Sequence, residues 1–387
     1  MAQQQTTLKW PGFGRTHFPW RSKNRVDLLV DAESFYPAML NAILSAEKSI
    51  FLEMYLVESG EITTKFIDSL LVAASRNIDV YLLFDDFGSL QLSEGDRQRL
   101  HHDNIFLTFY NPLDFGKFRK NLFRDHRKIF IVDHQRAFIG GAGIADDFLS
   151  NYQKKPGWRE TMIQVQGECV ADWVNLFEDA WRMYSTVPLP HPKPIIQFEE
   201  NMTQACRVVC AMGSSRQGIK RSLTKRIRSA EHRIWIATAY FLPSLKIRHA
   251  LIRAARRGVD VRLLLPGDKS DHPAVWQAGR RFYYRLLRAG IKIEEYQPRF
   301  LHQKILLCDQ WVSIGSSNID RWNFRWNLEA NQEVEDSVFV QGVVKMLETD
   351  FSESKICDIE SWQHRPWFLR IQEWFWGKVD WFLDRFI

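Results

Sequence analysis

Short apolar runs rich in β-branched and aromatic residues alternate along the chain with stretches of helical periodicity, and the series occurs twice. SAEKSIFLEMYL from Ser45 matches SAEHRIWIATAYFL from Ser229, in each case a helix end running into a strand. VAASRNIDVYLLFDD from Val72 matches RAARRGVDVRLLLPGD from Arg253, and NIFLTFYNP from Asn104 matches GIKIEEYQP from Gly290. The offset between copies stays between 176 and 186 positions, so the chain is an internal duplication. Each half reads helix, strand, helix, strand, helix, strand, followed by one more strand. The pattern predicts an α/β (mixed α+β) fold of two pseudo-symmetric repeats, each a mixed β-sheet flanked by helices, with one active site at their interface.

The last strand of each half carries the same polar residues. The first copy is HRKIFIVD, His126 to Asp133, and the second is HQKILLCD, His302 to Asp309. On a strand, His126 and Lys128 share a face with Phe130 and Val132, while Ile129 and Ile131 face the other way, so the strand is expected to be buried on both sides. The first copy runs on into Gly140, Gly141, Ala142 and Gly143, the second into Gly315, Ser316, Ser317 and Asn318. These endings mark tight turns where backbone comes close to another group.

Alternating prolines in VPLPHPKP mark the boundary between the halves. The expected organisation is an N-terminal arm over 1–25, a first half over 26–185, a Pro-rich linker over 186–200, a second half over 201–350 and an aromatic tail over 351–387. Charge adds a mild preference: the net +6 suits a phosphate-bearing partner, lipid or nucleic acid, without choosing between them. Five scattered cysteines with no CxxC pair suit a reducing compartment. No apolar run approaches the roughly 18 residues that span a bilayer, and no secretory signal is evident, so membrane contact is expected to be peripheral.

Fifteen Trp and 27 Phe matter through their placement. FGKFRKNLFR, with Phe115 and Phe118, mixes phenylalanines and cations just before His126, as suits a lipid interface. From Trp362 onward aromatics recur at helical spacing, and Trp367, Trp374 and Phe375 are the expected membrane contacts of an interfacial helix. Capping a core is the alternative for this helix, and a disordered or surface-binding arm is expected near Trp10 and Trp20.

Two histidines and two lysines fit displacement at a phosphodiester through a covalent intermediate. One imidazole can attack while the other protonates the leaving alkoxide, and Lys128 and Lys304 supply positive charge to the phosphate. Ser316 and Asn318 add neutral donors. This chemistry calls for no cofactor and no metal; a metal site fits poorly, since protonated lysine is not a ligand and no carboxylate or thiolate cluster accompanies either histidine.

A duplicated HxKxxxxD with a glycine turn ending GSxN resembles the phospholipase D superfamily, from about Val26 to Asp350. The resemblance implies a phosphohistidine on one histidine and a general acid at the other, here His126 and His302 in that order, though pseudo-symmetry leaves the order open. It places Lys128, Lys304 and Asn318 on phosphate oxygens and a carboxylate downstream of each motif, Glu160 and Glu329, against a histidine ring. Asp133 and Asp309 complete the catalytic motifs but look structural by comparison. HRKIFIVDHQRAFIGGAGI, ATAYFLPS and IGSSNIDRWNFRWNLEAN look like bacterial cardiolipin synthases, in particular the type lacking N-terminal transmembrane helices. That likeness implies transfer of a phosphatidyl group from one phosphatidylglycerol to a second with release of glycerol. It also implies anionic phospholipid partners, no nucleic acid, and a peripheral place on the cytoplasmic side of the inner membrane. Other acceptors (phosphatidylethanolamine, water, another alcohol), a superfamily nuclease and a decayed membrane-binding protein stay open. Gly143 departs from the pattern, standing where the family usually has Asn.

Overall fold

The computed structural model describes residues 18–386, apart from 115, 117–119, 151, 153–154, 191–201 and 214–215. The expected contacts Phe115 and Phe118, and most of the Pro-rich linker, therefore lie outside the described residues.

The first half is built on a seven-stranded mixed sheet. Strand Lys128–Val132 runs antiparallel to Ser49–Met54, which pairs in parallel with Asp79–Asp85, itself parallel to Ile105–Tyr110. In the second half Lys304–Cys308 runs antiparallel to Arg233–Thr238, followed by Asp260–Pro266 and Lys292–Tyr296 in parallel. The registers correspond, with Met54 opposite Lys128 and Thr238 opposite Lys304. Both motif strands are buried throughout. Phe130 and Val132 enter one hydrophobic cluster while Ile129 and Ile131 enter another, the two-sided burial that the alternation implies.

The halves share a core. One cluster joins Ile131, Trp173, Phe177 and Trp181 of the first half to Trp235, Leu307, Val312 and Leu347 of the second. Helix Cys169–Tyr184 and helix Ser337–Ser352 both contribute to it, the latter also lying against strand Asn24–Val30 of the first half. Apolar burial at about 25 cal/mol per Å² makes such a seam stable, so the halves are held in a fixed relation.

The segment expected to be an arm is partly built into this core. Phe18 is buried and its N–H bonds Val208 O at 3.1 Å, Arg21 pairs with Cys206 through the backbone, and the Arg21 guanidinium holds Asp172 at 2.9 Å. From Phe18 on, this stretch ties the halves together.

The tail forms helix Trp367–Phe386 with its polarity turned inside out. Two of its carboxylates face the protein: Glu373 pairs with Arg365 at 2.6 Å, and Asp380 with Arg281 at 2.6 Å and with Arg321. Trp367 and Trp374 are 72% and 62% exposed, with Phe368, Ile371 and Phe375 beside them. No described helix is long and apolar enough to cross a membrane.

Candidate active site

Two short backbone bridges between the halves set the site. Arg124–Asp125 pairs in parallel with Asn327 and Leu328, and the His126 N–H donates to Leu328 O at 3.0 Å. In the mirrored place, Arg159 bridges Leu301 and the His302 N–H donates to Arg159 O at 2.8 Å. The residue after each acceptor is a glutamate, so each histidine meets the carboxylate of the other half.

His302 Nδ1 lies 2.6 Å from Glu160 Oε2 in a buried hydrogen bond, and His126 Nδ1 lies 3.0 Å from Glu329 Oε1. The second contact is out of hydrogen-bond alignment; Glu329 is held instead by the Ser316 hydroxyl. Gly141 occupies the place of Ser316 in the first copy, and a Cβ there would meet Glu160 Oε2 at 2.3 Å. The glycine lets Glu160 close on His302 and Lys304, so the two carboxylates are held differently.

Both lysines curl back onto their own strands. Lys128 Nζ donates to His126 O at 2.7 Å and sits 5.0 Å over the Tyr55 ring, and Lys304 Nζ lies 3.5 Å from Glu160 and 3.0 Å from the His302 ring. Burial pushes the Lys128 ammonium down to about 7, lowers Lys304, and raises Glu329 to about 8. Burial would raise Glu160 too, but Lys304 and His302 outweigh it and hold the carboxylate below its usual range. Both imidazoles are lowered by burial and then by the lysines, His302 to about 4. Burial thus holds the lysines and histidines of the site short of their full positive charge, which a counter-charge would restore. A phosphate group brought between the rings would favour the protonated forms of both lysines and of one histidine.

Asn318 is wholly buried; its Oδ1 accepts from Thr238 Oγ1 at 3.2 Å and from the Tyr240 N–H, while Nδ2 has no partner among the described residues. A buried amide donor left open is rare, and here it suits an anionic oxygen. In the first copy a Cβ at Gly143 would stand 2.6 Å from Leu56 Cβ and 2.7 Å from Leu56 O. The structure thus leaves no room for the usual Asn, and one amide serves where the pattern has two.

Asp133 and Asp309 are not in the site, which corrects their place among the catalytic residues. Each stands seven residues past its histidine, roughly 20 Å along an extended strand. Asp133 accepts the N–H groups of Glu47, Lys48 and Ser49, and Asp309 those of Glu231, His232 and Arg233. Both adopt positive φ at the hairpin, a conformation Asp tolerates, and clamp the start of the neighbouring strand.

Several residues near the histidines escaped the sequence reading. Tyr55 packs 4.7 Å from the His126 ring, and Trp158, Phe148 and Phe300 surround His302 at 5.1 to 5.7 Å. Arg159, beside Glu160, bonds Asp31 at 2.8 Å and Asp350 at 2.9 Å, bracing that side. Trp158 and Arg159 stand in the WRET stretch whose Glu was singled out; Tyr55 carried no local signal. Among the described residues no group of three or more His, Cys, Asp or Glu is placed to hold a metal ion.

The model of the family described as cardiolipin synthase, PLD-like domain, matches residues 39–181 and 223–353. Cardiolipin synthase A of Pseudomonas entomophila is 32% identical over 351 residues, covering 89% of this chain and 72% of that one. Cardiolipin synthase A of Pseudomonas aeruginosa is 32% identical over 343 residues, covering 88% and 69%. Among solved structures, the phosphatidylserine synthase of Haemophilus influenzae superposes with a TM-score of 0.73 at 15% identity, covering 94% of this chain and 95% of that one, a likeness of fold. Both repeats are matched and most of the chain aligns with these relatives: the chain belongs to the cardiolipin synthase family of the phospholipase D superfamily, and is an enzyme of its phosphatidyltransferase class.

Proposed function

We propose that the chain makes cardiolipin by moving a phosphatidyl group from one phosphatidylglycerol to a second, with release of glycerol. The observation that carries this reading is the pair of histidines, each set against a buried carboxylate of the other half, beside two lysines and the open amide of Asn318.

His126 Nδ1 lies 3.0 Å from Glu329 Oε1, and with the proton on Nδ1 the ring keeps a lone pair on Nε2. That nitrogen attacks phosphorus, the bond from phosphorus to the glycerol oxygen breaks, and His302 gives that oxygen its proton. A second phosphatidylglycerol then loses a headgroup proton to His302 while its oxygen attacks phosphorus and the bond to His126 Nε2 breaks. Lys128, Lys304 and Asn318 Nδ2 hold the phosphate oxygens as charge shifts onto them. Glu160 supports the acid because its carboxylate stays ionised and stabilises an imidazolium at His302.

The substrate is reached from a membrane surface, and the enzyme sits peripherally on the cytoplasmic side of the inner membrane. The outward aromatic face of helix Trp367–Phe386 supports this, with Trp367, Trp374 and Phe375 set among headgroups and acyl chains. Asp380 ties this helix to Arg321, three residues past Asn318, so the membrane contact and the phosphate site share one rigid support.

The test supplies purified protein with phosphatidylglycerol vesicles and, separately, single-stranded DNA, both in chelator, and identifies products by mass spectrometry. Cardiolipin and glycerol in equal amounts are expected. Cleaved DNA without cardiolipin would overturn the reading, and a mixed lipid formed with added phosphatidylethanolamine would reassign the acceptor.

A further inference from the structure

Helices Gly218–Ser229 and Leu245–Arg256 pack side by side on the second half. Their apolar faces, with Ile219, Leu223 and Ile227 on one and Ile247, Ala250 and Leu251 on the other, are buried in the core. Together they carry nine Lys and Arg and no Asp or Glu. The whole chain carries +6, so taking away these nine leaves every other residue together at −3: the surplus on these two helices exceeds the net charge of the whole protein.

The face is also internally repulsive. Arg221, Lys225 and Arg228 follow one another at helical spacings of four and three on the exposed side, an arrangement of like charges that destabilises a helix. With Lys246 of the neighbouring helix they line a shallow depression of about 410 Å³. Among the described residues none of these four has an ion-pair partner, whereas Arg226 beside them is paired with Glu335. A cluster of cations held together without internal acids is complementary to a surface of negative charge outside the molecule.

We propose that this two-helix face docks on an anionic bilayer, with phosphate headgroups filling the depression lined by Arg221, Lys225, Arg228 and Lys246. The inference rests on the membrane-surface reading above and adds a second, electrostatic contact to the aromatic one. A chain of contacts links the second basic helix to the tail. Arg248 of the basic pair lies 4.4 Å over the Phe282 ring, Arg281 lies 4.5 Å over the same ring, and Arg281 holds Asp380 of the tail. Aromatic insertion anchors in any bilayer; the basic face selects an anionic one, where the anionic substrate is concentrated.

The test compares the full chain with a variant carrying Arg221→Gln, Lys225→Gln, Arg228→Gln and Lys246→Gln. Vesicles are phosphatidylcholine alone or mixed with an equal part of phosphatidylglycerol, at low and high salt. Each Lys or Arg near an anionic surface contributes about fivefold in affinity, so the variant is expected to lose at least 100-fold on mixed vesicles, together with most of the salt dependence. Its binding to phosphatidylcholine alone, and its turnover of dispersed short-chain phosphatidylglycerol, are expected to stay within about twofold, the margin set for an unaltered fold and site. Equal binding of variant and wild type to mixed vesicles would overturn the proposal, and so would an equal loss on both kinds of vesicle. A single-stranded oligonucleotide that displaces wild type, but not the variant, from mixed vesicles would reassign the face to nucleic acid. Failure of wild type to turn over the dispersed lipid would instead strike at the catalytic reading and leave the vesicle comparison standing.

Discussion

Glu160 Oε2 stands 2.6 Å from His302 Nδ1, and the two residues are 142 positions apart in different halves of the duplication. With the reciprocal pair Glu329 and His126, this means that neither repeat holds a complete site. Replacing Glu160 by Gln removes the negative charge that supports a positive His302 and leaves an amide that can turn either its oxygen or its NH2 to Nδ1. Turnover is expected to fall about 10²- to 10⁴-fold, as for loss of general acid-base assistance, with substrate affinity changed far less. Steady-state kinetics on phosphatidylglycerol check this; a variant that loses affinity and keeps its turnover number would contradict the role.

Asp309→Ala separates the motif's aspartate from the chemistry. Three backbone N–H groups lose their acceptor, which costs about 2–3 kcal/mol of stability. Turnover per folded molecule is expected to stay within twofold of wild type, a factor small beside the loss from removing a catalytic group. Urea unfolding and active-site titration give the two numbers independently.

Gly143→Asn writes the usual residue into the first copy. Because its Cβ would press on Leu56 Cβ and on the Leu56 carbonyl, the backbone must shift, and a loss of about 1–3 kcal/mol is expected without any gain in turnover. A more active and equally stable variant would show that Leu56 can yield there.

His134 makes stability depend on pH. Its ring is buried beside Phe51, and burial pushes it down to about 4, against about 6.5 in the unfolded chain. Between those values the unfolded chain takes up a proton that the folded one refuses, so stability falls as pH drops from 6.5 to about 4, by up to about 1.4 kcal/mol per pH unit. Asp85 and Asp320, raised to about 7 by burial, titrate in the opposite sense in wild type and variant alike, so the comparison isolates the ring. His134→Asn, which tolerates the positive φ, is expected to be less sensitive to acid than wild type in urea unfolding at pH 7 and pH 5.

How much of this was legible depended on range. The alternation in HRKIFIVD is local, and it foretold a strand buried on both faces; the same motif at a fixed offset foretold two like halves. The crossing of Glu160 to His302 was not legible, because it follows from the bridges at Arg124–Asp125 and at Arg159, which only packing brings together. Spacing showed an amphipathic helix from Trp367, but which face met the protein depended on Arg281 and Arg321, distant in sequence. Phe18 and Arg21 read as part of an arm because nothing adjacent reveals the strand edge at Cys206 that receives them. The nine cations of the two basic helices were diluted in a net charge of +6, which hid their concentration in two neighbouring helices.

The division of labour between the histidines is tested most directly by trapping the covalent intermediate. A phosphatidyl donor with a p-nitrophenol leaving group needs no acid for the first step, so His302→Ala should still react once. The expected result is a burst of about one equivalent of p-nitrophenol and a phosphatidyl adduct that mass spectrometry maps to His126, with later turnover slowed about 10²- to 10⁴-fold for want of a base. His126→Ala should give neither burst nor adduct. Sustained turnover by His302→Ala without an adduct, or an adduct on His302 in the His126→Ala enzyme, would contradict the account.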